Sequence, residues 1–377
     1  MVEMKILQLN KLYHPWIGGI ETVVKDIAEH MNKIDGVTLT NLVCQAKGKR
    51  QCESVNDVQT YRAKSWGIVS GMPLSVDFIV LFRRLVKEAD IVILHHPFPL
   101  AFVAFWLFSR KKKLVIWYHS DIVRQKVARI PFLPFIRYAL ERADYVVVST
   151  NAMIRGSAML GRYSHKCRVI PFGVDVARFE LTKEMRERAR ELRKVYGEPL
   201  VLAVGRLVYY KGFSYLVNAM KDVPANLVIV GKGPLKEELQ AAIDEGGLSE
   251  RVRIIDPVED LVPYYHACDV FALPSCEASE AFGVVQIEAL ACGKPVVNTD
   301  LPSGVPEVSI HGLTGRTVPL RDPSALAIAM REILFDRSEY ERLSENARKE
   351  VEKRFTMEGF LLKIERLLLS MAEEVTP

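Results

Sequence analysis

The sequence predicts an α/β protein made of two successive doubly wound units. Three observations carry this expectation. Short apolar runs alternate with helical patterns along the whole chain, as parallel strands joined by helical crossovers do. The alternation pauses at Pro171 and Gly173 and restarts at Leu200. A chain of 377 residues is long enough for two domains of ordinary size. The expected boundaries are residues 1–172 for the first unit, rejoined by a C-terminal helix of about 357–377, and 173–356 for the second.

Hydrophobic residues make up 49% of the chain and charged residues 26%, the balance of a soluble globular protein. The N-terminal MVEMKILQLN reads as a strand, not a signal peptide. The longest apolar run, residues 97–109, is shorter than the ~18–20 residues a membrane-spanning helix needs. Six cysteines lie far apart with no C-x-x-C pair, which favours free thiols in a reducing compartment over a zinc site. A cytoplasmic location is therefore expected, with peripheral attachment to the inner face of the membrane as its variant. Charge is uneven: residues 1–172 hold 25 Lys+Arg against 13 Asp+Glu, and residues 173–377 hold 26 against 33. The basic half has no zinc-finger spacing and no aromatic RNA-binding strand, so no nucleic-acid partner is expected.

In the first unit, the strand 4–9 runs into HPWIGGIE at 14–21 and then a helical pattern. The Gly18–Gly19 pair lets backbone approach a ligand, but it is not G-x-G-x-x-G, so it makes no dinucleotide site. Residues 45–60 are polar and read as loop. The strand 91–94 ends in His95-His96, whose side chains are expected to point apart, against a shared metal. The strand 114–117 ends in YHSD at 118–121, which sets His119 at the ligand-binding end of a parallel strand. Asp121, Arg124 and Lys126 follow it. Between residues 102 and 142, aromatic and apolar residues interleave with Arg110 to Lys113, Arg124, Arg129, Arg137 and Arg142. That composition suits an anionic bilayer surface, or equally a core helix followed by a solvated charge run.

The second unit opens with the strand 200–204 and the turn GRLVYYKG at 205–212. Arg206 and Lys211 put two cations at the carboxyl end of a strand, where they suit phosphate oxygens. The spacing is not a P-loop. The pattern culminates at residues 273–299, LPSCEASEAFGVVQIEALACGKPVVNT. A buried strand precedes it. A helix is expected from about Gly283 to Ala291, with Val284, Ile287, Leu290 and Ala291 facing the core and Gly293 as its left-handed stop. Glu280 falls just before this helix and Glu288 about a turn and a half inside it. The amides of Phe282, Gly283 and Val284 are left unpaired at its positive end. Such an arrangement offers anion-binding amides beside two hydroxyl-accepting carboxylates, which a sugar joined to a diphosphate would need.

The stretch from Glu280 to Glu288 resembles the E-x7-E signature of family 4 retaining glycosyltransferases. The resemblance extends over nearly the whole chain. It implies the GT-B fold, two Rossmann-like doubly wound domains with a cleft between them, the N-terminal one binding acceptor and the C-terminal one the nucleotide-sugar donor. It implies that Glu280 contacts donor-sugar hydroxyls and Glu288 the ribose. It assigns Arg206 and Lys211 to the diphosphate, with Gly19, Ala281, Phe282, Gly283 and Val284 also lining the donor. His119 would lie beside the transferred sugar, and Gly18, Glu21, Asp121 and Arg124 would meet the acceptor. Residues 256–258 match loosely a loop that holds the base.

The expected activity is transfer of a hexose, mannose-type favoured, to a saccharide or polyprenol-linked acceptor. GDP-mannose is the favoured donor, with UDP-glucose or UDP-N-acetylglucosamine as alternatives. No Asp-x-Asp pair occurs in the chain, so no metal and no cofactor are expected. The rival classes are a nucleotide-sugar epimerase, a phosphorylase on the same scaffold, which would need extra length, and a non-catalytic sugar-nucleotide-binding protein.

Overall fold

Strands and helices alternate through the chain. The computed structural model describes residues 3–16, 18–69, 71–109, 111–120 and 130–373. The chain divides into two units, residues 1–170 with 360–377, and residues 171–359.

The first unit contains β1 (Met4–Leu9), β2 (Val37–Cys44), β3 (Gln51–Val55), β4 (Val58–Ala63), β5 (Ile68–Val69), β6 (Met72–Pro73), β7 (Ile91–His96), β8 (Lys113–Tyr118), β9 (Tyr145–Val148) and β10 (Cys167–Val169). Eight of these form one sheet in the order β10-β9-β8-β7-β1-β2-β4-β3. All neighbours are parallel except the β3–β4 hairpin. That hairpin corrects the reading of residues 45–60 as loop. β3 is an exposed edge strand without apolar alternation, so its sequence carries no strand period. The central strands β7 and β8 are nearly all buried, as expected where helices cover both faces. The strand extends two residues past the expected 91–94, so His95 and His96 belong to β7 itself.

The second unit contains β11 (Leu200–Val204), β12 (Asn226–Val230), β13 (Val252–Ile255), β14 (Val270–Leu273), β15 (Val296–Thr299) and β16 (Gly315–Val318). They form one parallel sheet in the order β13-β12-β11-β14-β15-β16. The strand order reverses between β11 and β14 here, and between β1 and β7 in the first unit. Loops at the carboxyl ends of those strands therefore diverge and leave a crevice.

The charged helix Lys183–Tyr196 starts at Thr182, whose hydroxyl accepts from the Met185 amide. Pro234 lies in a turn, and the helix that follows starts only at Lys236. The C-terminal helix Met357–Glu373 buries Phe360, Ile364, Leu368 and Met371. It is tied to the first unit by Glu365, 2.9 Å from His30 Nε2.

Candidate functional site

In the second unit the site grows from two loops that flank the strand-order reversal. Residues 205–212 follow β11, and residues 274–283 follow β14. A backbone bond fixes them side by side: the Cys276 amide donates to the Tyr210 carbonyl at 2.8 Å, while the Leu207 amide ties the first loop to the one after β12 through the Lys232 carbonyl at 2.9 Å. Gly212 has φ +68°, and a Cβ there would stand 2.0 Å from the Pro274 carbonyl oxygen. Only glycine satisfies both that backbone and that approach.

This packing carries Lys211 to Glu280 across 69 residues of sequence. Lys211 Nζ lies 2.5 Å from Glu280 Oε2, and each side chain is 11% exposed. Ser275 Oγ donates to the same oxygen at 3.1 Å. The Ser275 carbonyl in turn accepts from the Thr299 hydroxyl. Arg206 is exposed and forms no ion pair among the described residues.

The helix that follows spans Val284–Ala291, with Gly283 at its N-cap in a left-handed conformation (φ +72°) and no side-chain cap. No group among the described residues accepts from the Phe282, Gly283 or Val284 amides. Its buried side is Gln286, Ile287, Ala289 and Leu290, whereas Val284 and Ala291 are only half-buried. The expected face is thus rotated to take in Gln286. The reason is a buried polar network: Gln286 Nε2 donates to the Phe282 and Val305 carbonyls at 3.3 and 3.4 Å. Its Oε1 accepts from Asn298 Nδ2 at 2.9 Å. Gln286 holds the amide-bearing loop from behind, and an apolar-only periodicity count overlooks it. Gly293 ends the helix at φ +70°, as expected.

Glu288 Oε2 accepts from the Tyr265 hydroxyl at 2.6 Å. Burial pushes the Glu288 carboxyl above its ordinary range. Burial, and then the neighbouring Glu288, push the Tyr265 hydroxyl far up as well. Glu280 and Glu288 therefore differ in character: one is paired with a cation, the other with a neutral phenol. Asp256, in the loosely matched base loop, is held by Lys236 at 2.7 Å.

In the first unit, Gly19 opens the helix Gly19–Met31 and Gly18 is its N-cap. The Glu21 carboxylate folds back over Gly18, where a Cβ would meet Glu21 Oε2 at 2.3 Å. His119 follows β8, is 7% exposed, and sets Nε2 at 2.9 Å from His95 Nδ1. His95 Nε2 lies 3.3 Å from Gln8 Oε1. His96 points to the other sheet face, stacked on Tyr118. Gln8 and Asn41 are the residues that sequence reading missed, and their signal is a lone amide inside an apolar strand. Asp121 and Arg124, with Lys126 and Arg129, lie outside the described residues. Among the described residues, no group of three or more His, Cys, Asp or Glu side chains is placed to hold a metal ion.

Residues 17–178 match the model of glycosyltransferase family 4, and residues 184–350 that of the group 1 glycosyl transferases. The D-rhamnosyltransferase WbpZ of Pseudomonas aeruginosa is 31% identical over 94% of this chain and 92% of its own length. The chain belongs to the family 4 glycosyltransferases. The O-antigen chain mannosyltransferase C of Escherichia coli is 27% identical over 95% of this glycosyltransferase and 96% of its own length. The sucrose-phosphate synthase of Thermosynechococcus elongatus superposes with a TM-score of 0.80 at 23% identity, over 98% of this chain and all of that one. The fold of this glycosyltransferase is GT-B, with two Rossmann-like domains.

The buried histidines of the glycosyltransferase make its stability acid-sensitive. Burial lowers His95 and His96 to about 3 each, and His266 to about 4. Unfolded, each takes up a proton near pH 6.5. Their contribution is complete above pH 6.5 and is lost as pH falls toward 3, because only the unfolded chain binds those protons in that window. Each histidine should cost about 1.4 kcal/mol per pH unit below 6.5. Urea unfolding at pH 7.0, 6.0 and 5.0 should show a progressive fall. A flat profile would mean these rings are protonated in the folded protein.

The segment 102–142 divides. In the helix Pro99–Phe108, Phe102 and Phe105 lie in the core, while Trp106, Leu107 and Phe108 are partly exposed. A second exposed apolar group, unforeseen in the sequence, comprises Trp66, Ile68, Val69, Leu74, Val76 and Val80 on and beside the β5–β6 hairpin. No described helix is long and apolar enough to cross a membrane.

Proposed function

We propose that this glycosyltransferase moves a mannose-type hexose from a nucleotide-diphosphate donor, GDP-mannose favoured, to a saccharide or polyprenol-linked saccharide. The observation that carries the reading is the locked pair of loops that brings Lys211 to Glu280 beside the open amides of residues 282–284. Arg206, Lys211 and those amides bind the diphosphate. Glu280 accepts from hydroxyls of the donor sugar, and Glu288 takes the ribose through the oxygen that Tyr265 does not occupy. Gly19, Ala281 and Val284 offer backbone to the donor. His119 stands beside the transferred sugar, and Gly18, Glu21, Asp121 and Arg124 receive the acceptor. The mannosyl- and rhamnosyl-transferring relatives favour the sugar class.

Transfer proceeds with retention. The bond from the anomeric carbon to the phosphate oxygen breaks as the acceptor oxygen bonds on the same face. The acceptor proton passes to the departing phosphate oxygen. Positive groups at the diphosphate stabilise the charge that grows there, so a divalent metal is not required. A panel of GDP- and UDP-sugars, with and without EDTA, tests this. Transfer from GDP-mannose that persists in EDTA supports the reading. Turnover only of a UDP-sugar changes the donor, and loss in EDTA removes metal independence. Turnover without any glycosyl acceptor would point to an epimerase.

An anionic bilayer is the proposed surface on which a polyprenol-linked acceptor is met, a reading that the exposed apolar hairpin supports. Lys64 Nζ sits 5.8 Å above the Trp66 ring, so a cation and an interfacial aromatic act together. The protein should sediment with vesicles containing anionic lipid and not with zwitterionic vesicles, and Trp66→Ala should weaken that severalfold. Binding indifferent to lipid charge would count against it.

A further inference from the structure

Among the described residues, the side-chain relay behind His119 has only one consistent proton arrangement. Asn41 and Gln8 are register partners in β2 and β1, and Gln8 lies opposite Ile93 of β7. His95 is two residues beyond Ile93, and Trp117, opposite His95, is two residues before His119. The period of two therefore sets Asn41, Gln8, His95 and His119 on one face of the sheet. Gln8 is fully buried. Its Nε2 donates to the Val24 carbonyl and to Asn41 Oδ1, both at 2.9 Å. The Val24 carbonyl can only accept, so the Gln8 amide cannot be turned round.

Gln8 Oε1 is thus the atom facing His95 Nε2 at 3.3 Å, and that nitrogen must carry hydrogen. Burial keeps His95 neutral, so its Nδ1 holds a lone pair. The nitrogen 2.9 Å away, His119 Nε2, must then be the donor. The two ring planes lie 14° apart, which suits an in-plane bond. Burial, then His95, His96 and Lys11 nearby, keep His119 neutral too. Its second nitrogen, Nδ1, is accordingly an acceptor.

We infer that His95 and Gln8 are positioning residues of the transferase, which fix His119 as a neutral acceptor through Nδ1. An acceptor there suits a sugar hydroxyl, whereas a protonated ring has only N–H donors to offer. This rests on the proposed place of His119 beside the transferred sugar.

Nitrogen-15 NMR of the full chain labelled at histidine tests it, with His119→Gln supplying the assignment. His119 should give the Nε2–H pattern and stay neutral from pH 8 to pH 5. An Nδ1–H ring, or a ring that titrates in that range, overturns the relay. His95→Leu should lower kcat about tenfold with unchanged nucleotide affinity and mix the His119 tautomers. His95→Asn keeps an acceptor at the Nδ1 position and should restore most of the rate. Wild-type kcat in His95→Leu overturns the positioning role. Wild-type kcat in His119→Gln would instead remove His119 from the reaction and leave the NMR result intact.

Discussion

Replacement of Lys211 by alanine is expected to lower kcat by ~10²–10³-fold, the usual cost of removing one preorganised donor to a developing oxyanion. Donor affinity should fall less, because the ammonium complements charge that is greatest as the diphosphate departs. A second effect follows from the structure. Lys211 lies 2.5 Å from Glu280 and both side chains are nearly buried. Alanine leaves that carboxylate without its counter-charge, at a cost to stability of about 3 kcal/mol. Arg206→Ala should lower turnover without this penalty, because Arg206 is exposed and makes no ion pair among the described residues. The double variant Lys211→Ala/Glu280→Gln should regain most of the lost stability and none of the activity. Steady-state rates with urea unfolding measure both. Wild-type turnover in both single variants would show that the clamp is misplaced.

Glu280→Gln is expected to separate binding from turnover. It lowers kcat by ~10²-fold, since an amide is a weaker acceptor than a carboxylate for donor-sugar hydroxyls. It also releases Lys211 for the phosphate oxygens, so the free nucleoside diphosphate should bind severalfold tighter. Ser275 can still donate to the amide oxygen, which keeps the loop in place. Calorimetric titration with GDP and with UDP reads this directly. Loss of all nucleotide binding, or a collapsed fold, would make the Lys211–Glu280 pair structural.

Much of this was legible in the sequence, because it resides in local pattern. The apolar runs of β7, β8, β11 and β14 are buried on both faces and need no partner to be recognised. The helix stop at Gly293 and the amides before Val284 follow from residue type and position alone. What escaped depends on tertiary register. The edge strand β3 pairs on one side only and carries no apolar period. Gln286 faces the core because Asn298 and the Val305 carbonyl receive it, and neither is near it in sequence. Lys211 and Glu280 were both singled out as site residues, yet their ion pair needs the close approach that Gly212 permits. The relay from Gln8 to His119 crosses three strands and appears only once their register is known.

The most direct test of the central claim is a crystal structure of the protein with GDP-mannose or free GDP bound. The account predicts the diphosphate within hydrogen-bonding distance of Arg206, Lys211 and the amides of residues 282–284, with the Lys211–Glu280 contact lengthened. A diphosphate bound elsewhere on the second unit, or on the first, with that contact unchanged, would contradict it.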